Sequence, residues 1–174
     1  MRKAILSSVI LVTLVMLAGC TLNQDFSFDI NQSFTVSSTT LTDYSKMQII
    51  DPTSNNDFNS NKDHITAINV TSATYTITRA TVVPGQVVTA KLEAADASGN
   101  SMALLVPFTP FTIAMGATGN LPVDITVANQ LGNWLKASPN KAQVTLTAHT
   151  TAAPTDFDVT IKLHVTATYT ASIL

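Results

Sequence analysis

Cysteine is all but missing from this chain: Cys20 is the only one in 174 residues. A single thiol excludes an internal disulfide, and once Cys20 is committed elsewhere no thiolate remains for a metal or for nucleophilic attack. Glutamate is just as scarce, with Glu93 the sole example, and charged residues make up only 11% of the sequence. So little Glu and Lys leaves scant material for solvent-facing helices. The basic residues are few and unclustered, which excludes a nucleic-acid partner that needs Lys and Arg to replace phosphate counterions. No glycine-rich phosphate loop and no Gly-x-Ser-x-Gly elbow is present, and no carboxylate spacing favours glycoside hydrolysis. The expectation is a protein that is not an enzyme.

What the chain does have is threonine, 27 residues of it, and long stretches of alternating polarity. β-branched side chains suit a pleated, half-buried surface. The chain reads as all-β.

The first twenty residues stand apart. Arg2 and Lys3 precede an apolar run from Ala4 to Leu17, broken only by Ser7, Ser8 and Thr13, and Leu17-Ala18-Gly19-Cys20 closes it. The run is too short and too interrupted for a transmembrane helix, which needs about 20 apolar residues. It has the n- and h-regions of an export signal. Leu-Ala-Gly-Cys resembles the lipobox of bacterial lipoproteins. The resemblance implies removal of residues 1–19, a diacylglyceryl group on the Cys20 thiol and acylation of its new amino group. No other cofactor is implied. Thr21, in place of the Asp that marks inner-membrane retention in that class, implies the outer membrane if the source is diderm. The mature chain then carries seven basic and eleven acidic side chains, a net charge of about −4. About 155 residues suffice for one core.

Three parts are expected: the signal peptide at 1–19, the lipidated cysteine and a short polar tether at 20–25, and one domain at 26–174. Phe26, Phe28, Ile30, Phe34 and Val36 share one phase of a period-2 pattern, and Met47 to Ile50 forms a short strand. Residues 51–63, rich in Asn, Asp and Ser, form a long loop or a short capped helix. Ile65 to Arg79 changes phase near Thr71-Ser72, predicting a bulge or a break into two strands. Pro84-Gly85 and Ser98-Gly99-Asn100 mark turns. The apolar stretch Met102 to Met115 contains Pro107 and Pro110 and is therefore an edge strand or an irregular crossing rather than a central strand. Leu121, Val123, Ile125 and Val127 alternate as a strand would, and Ala128, Leu131, Trp134 and Leu135 recur at helical spacing. Phe157 to Tyr169 alternates without a break. About seven or eight strands of this kind predict an antiparallel two-sheet β-sandwich, immunoglobulin-like, with one short helix.

Candidate sites are few. Asp57, Asn59, Asn61 and Asp63 place oxygens at every second position, as a calcium loop does, but Lys62 and Ile68 occupy the glycine and glutamate places of an EF-hand. Asn and Asp also cap helices and form turns, so no metal is expected. His149 and His164 are expected to face each other across a hairpin without a third ligand, and His64 stands apart. Trp134 is either core or a sugar-stacking platform. Phe108 and Phe111 are either buried under the end of the sandwich or, if they point outward, mark a contact surface for a partner. The chain is thus expected to be a lipid-anchored envelope lipoprotein with a structural, assembly or interaction role, binding an envelope protein. The alternative is a module for glycan or a hydrophobic ligand.

Overall fold

Strict alternation from Phe157 to Tyr169 produces one apolar and one polar face, and that strand is the spine of the fold. In the computed structural model, which describes residues 21–38, 40, 42–81, 83 and 86–172, it lies within β8 (Thr155–Ser172). The lipobox segment, Cys20 and the Pro84-Gly85 turn lie outside the described residues. β8 is flanked by β1 (Thr21–Ser38) and β3 (Ile65–Thr81), and the short β6 (Thr118–Leu121) pairs with the far side of β3. The second sheet runs in the order β2 (Asp43–Ile50), β7 (Ala142–Thr150), β4 (Val87–Asp96), β5 (Ala103–Thr112). Every pairing is antiparallel.

The pairs are nested: β1 with β8, β2 with β7, β3 with β6, β4 with β5. A chain doubled into one long hairpin and then wrapped has this nesting, which is the double-sheet jelly roll. The sandwich is therefore as expected, but its connections are not those of an immunoglobulin domain. Alternation identifies a strand and its buried face. It carries no information about which strand lies beside it.

Between the sheets, Phe34, Val36, Ile77, Phe157, Leu163 and Val165 are almost fully buried. Each contributes about 1.5–3 kcal/mol through removal from water. The phase change in β3 is real: its register against β8 slips between Val70 and Ser72. The β4–β5 connection is the expected tight turn. The Asp96 carboxylate accepts from the Ser98 and Asn100 amides at 2.9 and 2.8 Å, and Gly99 takes φ +81°.

Two boundaries differ from expectation. Residues 21–25 are not free tether but the opening of β1, because β8 continues to Ser172 and offers them a partner, Thr21 opposite Ser172 and Asp25 opposite Thr168. The alternation over 121–127 is not one strand. Asp124 accepts from the Thr126 and Val127 amides at 2.9 and 3.1 Å, and this cap starts a helix at Ile125.

That helix, α2 (Ile125–Lys136), packs Val127, Ala128, Leu131 and Leu135 into the core. A smaller cap follows β2: a 3₁₀ turn (Pro52–Ser54), α1 (Asn56–Asn61) and a second 3₁₀ turn (Lys62–His64). Asp51 and Asn55 accept the first amides of the two leading turns, from Thr53 and Phe58. Phe58 is fully buried against Phe28, ring centroids 5.8 Å apart. One buried phenyl ring thus holds an otherwise polar segment in place.

Candidate functional site

β5 is the free edge of its sheet, as its prolines require. Its register against β4 slips between Ala90 and Leu92, where Ala90 faces Thr109 and Leu92 faces Val106. Pro107 and Phe108 fall within this irregularity, so Pro107 has no ladder bond to lose. Leu105 and Val106 point into the core, while Leu104 and Phe108 remain 42% and 53% exposed.

These two side chains occupy one outer face with a pair of charges. Leu104 sits opposite Glu93. The Glu93 carboxylate accepts from Lys91 Nζ at 2.9 Å, and the same ammonium stands 5.5 Å from the Phe108 ring centroid. Lys91 therefore bridges a carboxylate and an aromatic face. Beside them, Leu104, Pro107, Pro122, Val123 and Asp124 line a shallow groove of about 250 Å³. β5 also carries Phe111 opposite Val88; its side chain lies outside the described residues.

Trp134 is half-buried against the core at the C-terminal end of α2. It shares a cleft of about 180 Å³ with Asp96, Ala97, Pro139 and Lys141. A cavity bounded by Tyr75, Leu92, Val106 and Ile161 has room for about 20 Å³, which holds no more than about one water.

The residues considered for calcium do not converge. Asp57, Asn59 and Asn61 belong to α1, where Asp57 and Asn61, four apart, share one face and Asn59 points to another side. Asn61 Nδ2 donates to the Asp57 carbonyl at 2.9 Å, and Lys62 Nζ to Asn59 Oδ1 at 3.4 Å. Asp63 follows in the next 3₁₀ turn. Among the described residues, no three or more His, Cys, Asp or Glu side chains gather as a metal site would require.

The two histidines do not face each other. β7 and β8 lie in different sheets, so the chain crosses the sandwich between them. Each histidine meets an aspartate across its own sheet instead: His149 Nδ1 is 2.8 Å from Asp43 and His164 Nδ1 is 2.7 Å from Asp29. The His164 and Lys162 hydrogen bonds hold the Asp29 carboxyl below its ordinary value.

Further along the same outer face, the Arg79 guanidinium donates to Asp158 from both Nε (2.8 Å) and Nη2 (3.1 Å), and Nη1 donates to Asp156. Its hydrogen bonds lower the pKa of both carboxyls and raise its own. The alternation had marked these positions only as polar. Their partners come from β1 and β3, which no local pattern links to β8.

No family model and no curated protein matches the chain. It is similar to solved structures of Desmodium yellow mottle tymovirus (13% identity over 88% of this chain and 90% of that one, TM-score 0.40) and the decameric BFDV capsid protein (10% identity, 83% and 99%, TM-score 0.47). Turnip yellow mosaic virus is a third (13% identity, 87% and 95%, TM-score 0.35). At these identities the likeness concerns the fold alone.

Proposed function

We propose that this chain is a lipid-anchored, extracytoplasmic jelly-roll lipoprotein whose envelope role is structural, in assembly or interaction, without catalysis of its own. The observation that carries this reading is Leu17-Ala18-Gly19-Cys20 at the end of a basic-then-apolar segment, with Cys20 the only cysteine in the chain. Each buried lipid methylene contributes about 0.8 kcal/mol, so a diacylglyceryl group plus an N-acyl chain anchors stably where one chain holds marginally. In a diderm source the anchor lies in the outer membrane.

The contact surface is the outer face of β5 at Leu104 and Phe108. Pro107 and Pro110 lack the N–H groups that a partner strand needs. Recognition there works through side chains, and the partner is an envelope protein. The test is the intact mass of the membrane-extracted protein together with detergent-phase partitioning. The native chain carries the lipid mass, and Cys20→Ser abolishes both the increment and the partitioning. Full retention of the signal peptide in the native chain defeats the proposal.

The Trp134 cleft favours a second reading, a glycan- or hydrophobic-ligand module. A glycan and lipid titration followed by Trp134 fluorescence separates the two.

A further inference from the structure

The sheet that carries β1 is longer than its partner at one end. Gln32 Nε2 reaches the Ile49 carbonyl at 3.5 Å, one residue before β2 stops at Ile50, whereas β1 and β8 stay paired for eleven more positions, to Thr21 and Ser172. The α1 cap covers the start of this overhang by setting Phe58 on Phe28. Beyond it the inward face loses its cover. Phe26 is half-buried, stacked 5.7 Å from Phe28 and edge-on to Tyr169 at 5.9 Å. Leu22, on the same phase as Phe26, is 49% exposed. The Tyr169 hydroxyl donates to Gln24 Oε1 at 2.5 Å.

We infer that this ledge of Leu22, Phe26 and Tyr169 rests in the headgroup region of the bilayer, so that the sandwich stands on this end. The inference rests on the lipidation proposed above. Cys20 is one peptide unit from Thr21, which is already strand. An acylated Cys20 therefore leaves no slack between lipid and fold, and the residues nearest it must meet the membrane. The ledge has the character that position needs: an exposed leucine, a phenyl ring, and a tyrosine with its polar end satisfied, the class of side chain enriched at membrane interfaces.

The charges at this end are balanced. Lys62 and Lys136 stand there, Lys136 Nζ donating to the Thr66 carbonyl at 3.2 Å, with Asp25 and Asp63. Seating is then apolar and does not require anionic lipid. The opposite end of β1 is about 55 Å away at 3.3 Å per residue. The β1–β2 connection consequently points away from the membrane.

With Cys20 acylated, any introduced cysteine is the sole free thiol. The lipidated protein, carrying Asn23→Cys or Thr40→Cys labelled with a fluorophore, is reconstituted into phosphatidylcholine vesicles that contain brominated lipid. The label at position 23 is expected to lose most of its emission and the label at 40 to keep its own. Equal quenching at both sites, or none at position 23, in protein that carries the lipid mass overturns this inference alone. A chain without that mass sinks the lipidation reading and this inference with it.

Discussion

Gly132 of α2 lies directly against Ile68 of β3: a Cβ placed on the glycine would stand 2.0 Å from the Ile68 carbonyl oxygen. The helix can therefore approach the sheet only through a residue with no side chain. In an exposed helix, Gly→Ala gains about 1 kcal/mol, whereas forcing an extra carbon into a packed interior costs about 1–3 kcal/mol. Here the obstacle is backbone, which gives way least. Gly132→Ala is expected to destabilise the fold by about 2 kcal/mol, the upper end of the difference between those two effects, because the obstacle is backbone. Urea unfolding measures it, and an unchanged midpoint means the helix stands off the sheet.

Phe58 makes a second stability prediction. It is the one fully buried side chain of α1 and holds the segment 52–64 to the core through Phe28. Phe58→Ala should cost about 3–5 kcal/mol. Calcium should do nothing for the native protein, because Asn59 points away from the face of α1 that Asp57 and Asn61 share, and Asp63 lies in the next turn. Identical melting in calcium and in chelator is the expected result, since a ligand of the native state raises its stability. A rise in Tm with calcium contradicts it.

Acid should weaken the outer face of the β1–β8–β3 sheet. Arg79 lowers the pKa of Asp156 and Asp158 from 3.8, and His164 and Lys162 lower that of Asp29. A carboxyl whose folded pKa is depressed contributes stability above its unfolded value and loses it as pH falls through the folded one. The contribution is therefore complete above roughly pH 5, declines as pH falls past the ordinary 3.8, and is gone only below the depressed folded value. All three carboxylates are exposed to screening, so the effect is modest. Thermal melts from pH 6 to pH 2 should show a shallower acid loss for Arg79→Met than for the native chain. Parallel curves would mean the guanidinium does not couple to these groups.

Phe108→Asp should leave the fold within about 0.5 kcal/mol, because the side chain is on the surface. It should remove reproducible in-cell cross-links from residues 104–111 to an envelope protein. Cross-links that persist at native yield place the contact elsewhere. Loss of folding would instead make Phe108 part of the core.

The strands could be read from the sequence because burial on one face imposes a period of two, as in Phe157 to Tyr169 and Phe26 to Val36. The β3 bulge was visible as a change of phase, and the β5 edge as two prolines. Helix α2 was visible from Ala128 onward but not at Ile125. There Leu121, Val123 and Ile125 mimic a strand, and the decisive feature is a cap made by Asp124. Gly132 is a poor helix former by propensity, yet it is the residue that lets the helix dock. The jelly-roll nesting, the separation of His149 from His164 and the Arg79 cluster were not legible, because each depends on which distant strands become neighbours. Phe108 was legible as a residue of interest, but whether it pointed outward was not.

The nesting of β1 with β8 also bears on when the protein can fold. The first strand made is paired along its whole length with the last, so its ladder waits for the entire chain, and ordering so long a loop is slow. If the chain is delivered across a membrane N-terminus first, β1 emerges with Leu22, Phe26 and Phe28 uncovered and both edges open. An unpaired strand of that kind readily finds wrong partners. Acylation at Cys20 would hold that strand at the bilayer while the remaining seven arrive, confining the most aggregation-prone interval of its life to a surface.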